Sequence, residues 1–320
     1  MTGLKPSLLT SLTSAADVVV DDVLLRGSHG MRARPRTEVG FVAAITLGGV
    51  PGIASAWAPL LRPHGYSLKI DGVFCHAAPV VAFKGGQGPR VHCELADLLV
   101  VTDHLDQTGR LERRASLIQA KMASKARRVS LKGRSSVRQL DLYQSWPAFT
   151  FEEAVYGSKS YDLRSLGQGD AGSFGVIDRH FRNSPGMPPR WTQHHARPTP
   201  ASVTNEPSFG GFLAHMIGGK VGACGRVAVP GGSDDWSEVV DLLLRVTYNK
   251  AFRHAPTLGA PSTRRGTTAI AYLTGPDERR MGRRRLVGPA WRPPFEGFEE
   301  VDDESPGGIS VLRVEVLPDG

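Results

Sequence analysis

Asp97, Gln119 and Lys121 have the types and spacing for chemistry on a phosphodiester. Asp97 lies in a short apolar run, Ala96 to Thr102, that reads as a buried strand. A stretch rich in turn formers, DHLDQTG, leads on to a second run, Ala115 to Met122. Side chains alternate along a strand, so Gln119 and Lys121 share a face. Burying an unpaired ammonium is costly, so Lys121 calls for carboxylates, a bound anion or solvent. Asp97 and Glu94 are the nearest carboxylates in sequence. Carboxylate and amide oxygens are hard ligands suited to Mg²⁺ or Mn²⁺. An ammonium beside them offsets charge developing on phosphorus-bound oxygens or orients an attacking water. The same residues also have a plainer account, as a Gln-x-Lys pair on a solvated sheet face and an Asp in a turn.

Asp97, a hairpin and then Gln119-Ala120-Lys121 resemble the PD-(D/E)XK nuclease superfamily, in the Mrr-like variant whose acidic residue before x-Lys is Gln. A Glu on a helix ahead of the sheet belongs to that pattern, and Glu38 in RTEVGFVAAITLG looks like it. The likeness covers about residues 37 to 151. It departs from the usual pattern in having Ala96 before the Asp, where a Pro would stand, and Glu94 as an extra acid. Either Glu94 or Glu38 can then complete the site. The resemblance implies an Mg²⁺- or Mn²⁺-dependent endonuclease. Asp97, Gln119 and Glu94 or Glu38 would hold the metal, and Lys121 would assist the attack. It also implies DNA as substrate and a role in defence against foreign DNA.

Charge supports a polyanionic partner. The net charge is +8. Residues 110–138 hold ten basic side chains against the single acid Glu112, an excess of nine that exceeds the whole chain's. Within this run Arg113, Arg114, Lys125, Arg127, Arg128, Lys132 and Arg134 are the expected phosphate contacts, because such contacts supply the sequence-independent part of nucleic-acid affinity. A charge run is also, more simply, a solvated face. A nucleic-acid-binding protein that keeps the fold without the chemistry is the main alternative. A third reading is a scaffolding protein whose basic surface meets an acidic partner.

Three cysteines cannot build a disulfide framework, which suits a reducing cytoplasm. Cys75-His76 and His92-Cys93 form a mirrored pair, but adjacent strand residues face opposite ways, so buried cysteines on paired strands are expected rather than zinc. No apolar run approaches the roughly 20 residues of a membrane span, so no membrane partner is expected.

The elements that must position these residues give an α/β fold. The expectation is a restriction-endonuclease-like core, with a central mixed sheet flanked by helices, and a packed α+β C-terminal extension. Residues 1–36 read as an N-terminal extension, 37–155 as the core and 156–320 as the C-terminal extension. Thr37 caps a helix that Gly48-Gly49-Val50-Pro51-Gly52 ends, and a second helix runs from Ile53 to Leu61. Asp71-Gly72 reads as a bulge or turn, and Lys84 to Pro89 as a hairpin connection. Arg138 to Trp146 forms a helix on which Gln139 and Tyr143 share a face. Trp191, His194 and His195 fall in a proline-rich stretch expected to be an exposed loop. Two late strands, TTAIAYL and ISVLRVEVL, either pair together or extend the first sheet. Between them the Arg cluster RRMGRRR and the acidic EGFEEVDDE can neutralise one another. A homodimer and a protein partner from a defence system stay open.

Overall fold

The computed structural model describes residues 4–26, 35–75, 79–85, 88–106, 108–123, 129, 133–164, 171–178, 190–194, 207–218, 224–254, 271–274 and 308–319. Six α-helices are described: α1 (Pro6–Arg26), α2 (Glu38–Ala44), α3 (Val50–Leu61), α4 (Arg134–Ser145), α5 (Phe209–Gly218) and α6 (Asp235–His254). The strands are β1 (Tyr66–Val73), β2 (Val80–Lys84), β3 (Arg90–Glu94), β4 (Leu98–Leu105), β5 (Leu111–Met122), β6 (Phe149–Phe151), β7 (Ser160–Tyr161), β8 (Gly172–Ile177), β9 (Trp191–His194), β10 (Arg226–Val227), β11 (Ala271–Thr274) and β12 (Ser310–Pro318).

The main sheet runs β11-β1-β12-β4-β5-β8-β9, with β10 also paired to β5, and β3-β2-β6-β7 form a second sheet. The main sheet is mixed: β4 and β5 are antiparallel, whereas β12 runs parallel to β4, and β8 to β5. One face carries Leu98, Val100, Ile118 and Ala120 into a core with α1, α3 and α5. The other carries Leu99, Val101, Ala115 and Leu117 into a core with α4, α6 and the second sheet. Two buried faces explain why β4 opens with four apolar residues in a row, Leu98 to Val101.

Residues from the expected C-terminal extension pack closely and supply strands to the main sheet. Strand β8 lies beside β5, and β12 sits between β1 and β4. Within the N-terminal extension, α1 buries Leu8, Leu12, Ala16 and Val20 in the first core and accepts a hydrogen bond from Trp57 Nε1 at Leu12 O (2.8 Å). Both late strands extend the main sheet on either side of β1, and they do not pair with each other.

The helix capped by Thr37 does not stop at the Gly-Gly-Val-Pro-Gly stretch. Ile45–Gly49 forms a π-helical turn that joins α2 to α3 without leaving helical backbone. Pro51 lacks the N–H an α-helix would use and its ring crowds the preceding turn, and a wider turn just ahead relieves both problems. Gly72 is no turn but part of β1, where a Cβ would stand 2.3 Å from the Thr46 carbonyl oxygen, so the strand needs glycine to pass the helix. The continuous helix Glu38–His64 is long and apolar enough to cross a bilayer by length and composition, but 67% of its apolar window is buried inside the protein. The proline-rich stretch is corrected as well: Trp191–His194 is a buried strand paired with β8, and His195 lies outside the described residues. Lys84 to Pro89 does connect an antiparallel hairpin, β2 to β3.

Candidate functional site

Strand β5 outruns β4. Their pairing begins at Leu98 opposite Ile118, so the β4-facing N–H groups of Ala120 and Met122 meet no strand. Two carboxylates take the place of one. Asp97 Oδ2 accepts from Ala120 N at 2.7 Å, and Glu38 Oε1 accepts from Met122 N at 3.0 Å. Asp97 is itself held against β5 by its own N–H, which donates to Ile118 O at 3.0 Å.

Gln119 donates its side-chain N–H to the same Asp97 oxygen. Its Oε1 is buried without a partner. Lys121 Nζ lies 4.0 Å from Glu38 Oε2, with the lysine side chain 10% exposed and the glutamate 38%. Asp97, Gln119, Lys121 and Glu38 thus share one strand end. Glu94 lies on β3 in the second sheet, opposite Val80, so Glu38 is the carboxylate tied to the Gln119–Met122 strand end.

Burial lifts the Asp97 carboxyl to about 7, and the charge of Glu38 adds to the rise. Lys121, the Ala120 N–H and the Gln119 amide oppose it without cancelling it. An acid so little compensated is a mark of functional sites, although structural networks also produce it. Helix α4 roofs the site: Tyr143 is buried and donates to Leu95 O at 2.9 Å, two residues before Asp97. One helical turn away, Gln139 is also buried and its Oε1 has no partner. Helical spacing in the sequence had already put these two residues on one face.

The donor set suits a divalent cation of the Mg²⁺ type. Asp97, Glu38 and the orphaned Gln119 Oε1 are hard oxygens, and two neighbouring carboxylates gain from a cation between them. Among the described residues no three of His, Cys, Asp and Glu gather at ligand range, so the two carboxylates would be joined in any such set by the amide oxygen, water or substrate oxygens. Of the mirrored Cys-His pairs, Cys75 and Cys93 are buried thiols outside any disulfide, burial pushes the Cys93 thiol up to about 12, and His76 lies outside the described residues.

The expected phosphate contacts need correction. Arg113 is buried and bound to Asp103 (2.6 Å) and Asp241 (2.9 Å), because it points inward on the α6 side of β5. Arg114 is tied to Glu112 (2.7 Å) and the Gly225 carbonyl (3.1 Å). Lys125, Arg127, Arg128 and Lys132 lie outside the described residues, as do RRMGRRR and the acidic stretch after it. Arg134 is exposed at the start of α4, and Arg138, one turn on, is half-buried and donates to His92 O at 3.1 Å.

The sequence reading missed a second polar cluster at the other end of the same strand pair. Asp103 accepts from Arg113 and Arg313, Arg313 also pairs with Glu315 (2.6 Å), and Glu315 with Lys69 (2.9 Å). Asp71 completes it, 4.0 Å from Lys69 and accepting from Tyr248 at 3.3 Å. Its only sequence signal is charge at alternate positions of strands, in LERRA and LRVEV. No protein-family profile matches this chain, and neither curated proteins nor solved structures give a match.

Proposed function

We propose that this protein hydrolyses phosphodiester bonds in DNA with the help of a divalent metal, from a restriction-endonuclease-like core. The observation that carries the reading is the meeting of Asp97, Gln119, Lys121 and Glu38 at one end of β5. The order of elements supports it: a helix bearing Glu38, strands β1, β4 and β5, then helix α4. Asp97, Glu38 and Gln119 Oε1 would hold Mg²⁺ or Mn²⁺. When bound, the metal would supply Lewis-acid stabilisation and a more acidic water. Lys121 would orient the attacking water and offset charge on the phosphorus-bound oxygens. Arg134 and Arg138, on the helix that roofs the site, would contact the substrate backbone.

A second reading has its own observation. One oxygen of each carboxylate already serves a strand-edge N–H, as it would in a protein that keeps this arrangement for shape alone and binds DNA without cutting it. Incubating the protein with supercoiled plasmid, in Mg²⁺, in Mn²⁺ and in EDTA, decides between them. Metal-dependent nicking that disappears in Lys121→Ala is the expected result. Salt-sensitive binding with no nicking of plasmid, linear or single-stranded DNA in either metal would replace the hydrolase with the binder.

A further inference from the structure

We infer that Tyr143 is a positioning residue, one that holds the Asp97 carboxylate and the Gln119 amide in register without touching substrate; as a statement about catalysis this rests on the hydrolase reading above.

The chain crosses from the second sheet to the main sheet within three residues, Leu95 to Asp97. Leu95 N donates to Pro79 O (2.8 Å) on one side of the crossing, and Asp97 N to Ile118 O (3.0 Å) on the other. Between these ties the Leu95 carbonyl accepts from the Tyr143 hydroxyl at 2.9 Å. A backbone oxygen can only accept, so the hydroxyl must remain protonated. Burial first, and then the negative charge of Asp97, hold its pKa well above the ordinary tyrosine value.

The ring itself works on the other partner. It stacks on Trp146 (centroids 5.1 Å apart) and tilts against Phe174 (5.4 Å). Phe174 is the strand neighbour of Gln119 in the β5–β8 register. The ring fits because β8 begins at Gly172, where a Cβ would lie 2.8 Å from Trp146 and 3.1 Å from Tyr143. One side chain therefore bears on the turn that delivers Asp97 through its oxygen, and on the neighbour of Gln119 through its ring. A side chain kept only for core packing would need the ring and not the hydroxyl.

Tyr143→Phe keeps the ring and removes the donor. Backbone amide exchange at Ala120, whose N–H is held by Asp97, is read against Met122, whose N–H is held by Glu38. The expected result is exchange at Ala120 about tenfold faster with Met122 within twofold of wild type, together with a kcat about tenfold lower at unchanged KM. Leu140→Val, which loosens the same helix without removing the hydroxyl, should speed both amides alike. If Tyr143→Phe also speeds both amides equally, or neither, the residue packs the fold and the inference is wrong. Should the wild type fail to cleave DNA, the hydrolase reading falls, and the contrast between the two amides still decides whether Tyr143 positions Asp97.

Discussion

Asp97, in the bend that enters β4, and Asp103, within β4, lie six residues and roughly 20 Å apart at the usual strand rise, yet they are treated oppositely. Asp103 is enclosed by two guanidinium groups, and the network spreads through Asp241, Glu315 and Lys69 until almost every charge has an opposite. Asp97 has N–H donors for close partners and, among the described residues, no cation in direct contact, while Lys121 stands nearer to Glu38. A fold that can satisfy one buried carboxylate so fully could have done the same for the other. On the proposed function, the difference separates a cluster that joins strands from one that keeps capacity for something outside the chain.

Substitution should separate the two ends. The largest effect is expected from Asp103→Ala, which strands two buried arginines and should cost about 3–5 kcal/mol in denaturant unfolding; a loss below 1 kcal/mol would mean that the network does not hold the strands. Asp71 comes next, through pH. Burial raises its carboxyl to about 7 from 3.8, against the opposing charge of Lys69. A folded-state value above the unfolded one means that its stabilising protonation is complete below about 4 and is lost as pH rises through 7. At about 1.4 kcal/mol per pH unit that is roughly 4 kcal/mol. Thermal unfolding of Asp71→Asn across pH 4 to 8 should therefore show a flatter profile than wild type, and parallel profiles would refute the assignment.

At the open end the effects should fall on chemistry instead. Asp97→Asn should lower cleavage by about a hundredfold or more while leaving stability within about 1 kcal/mol of wild type, because it removes a poorly compensated charge. Mg²⁺ affinity, read by calorimetric titration, should rise with pH through about 7, where the metal-free Asp97 ionises, and a flat profile would count against its role. Glu38→Gln should act most weakly, since the residue is more than a third exposed and the amide still accepts from Met122; about a tenfold loss of cleavage is expected.

Strand alternation was enough to pair Gln119 with Lys121, and residue chemistry to add Asp97, because a two-residue period carries directly into side-chain direction. Sequence could not choose between Glu38 and Glu94, since that choice depends on how far β5 outruns β4, a property of register. Charge misled at Arg113: a basic run reads as a surface until Asp103 and Asp241 prove to lie inside. Proline hid β9, and Gly-Pro punctuation hid the π-turn, because both signals describe local preference while packing on two sides decides the outcome. Periodicity predicted a strand in ISVLRVEVL and could not tell which neighbours it would take.

The seat of β12 sets an order of events. Residues 66–73 and 98–105 are made long before 310–318, yet they are joined only through that strand. During synthesis at about 5–20 residues per second, the earlier strands wait ten seconds or more with apolar edges open. Loop closure on that scale is slow in any mixed sheet, and the interval is when the growing chain most needs a chaperone. The same delay means that β4, the strand Asp97 leads into, has one edge unpaired until β12 takes its place beside it.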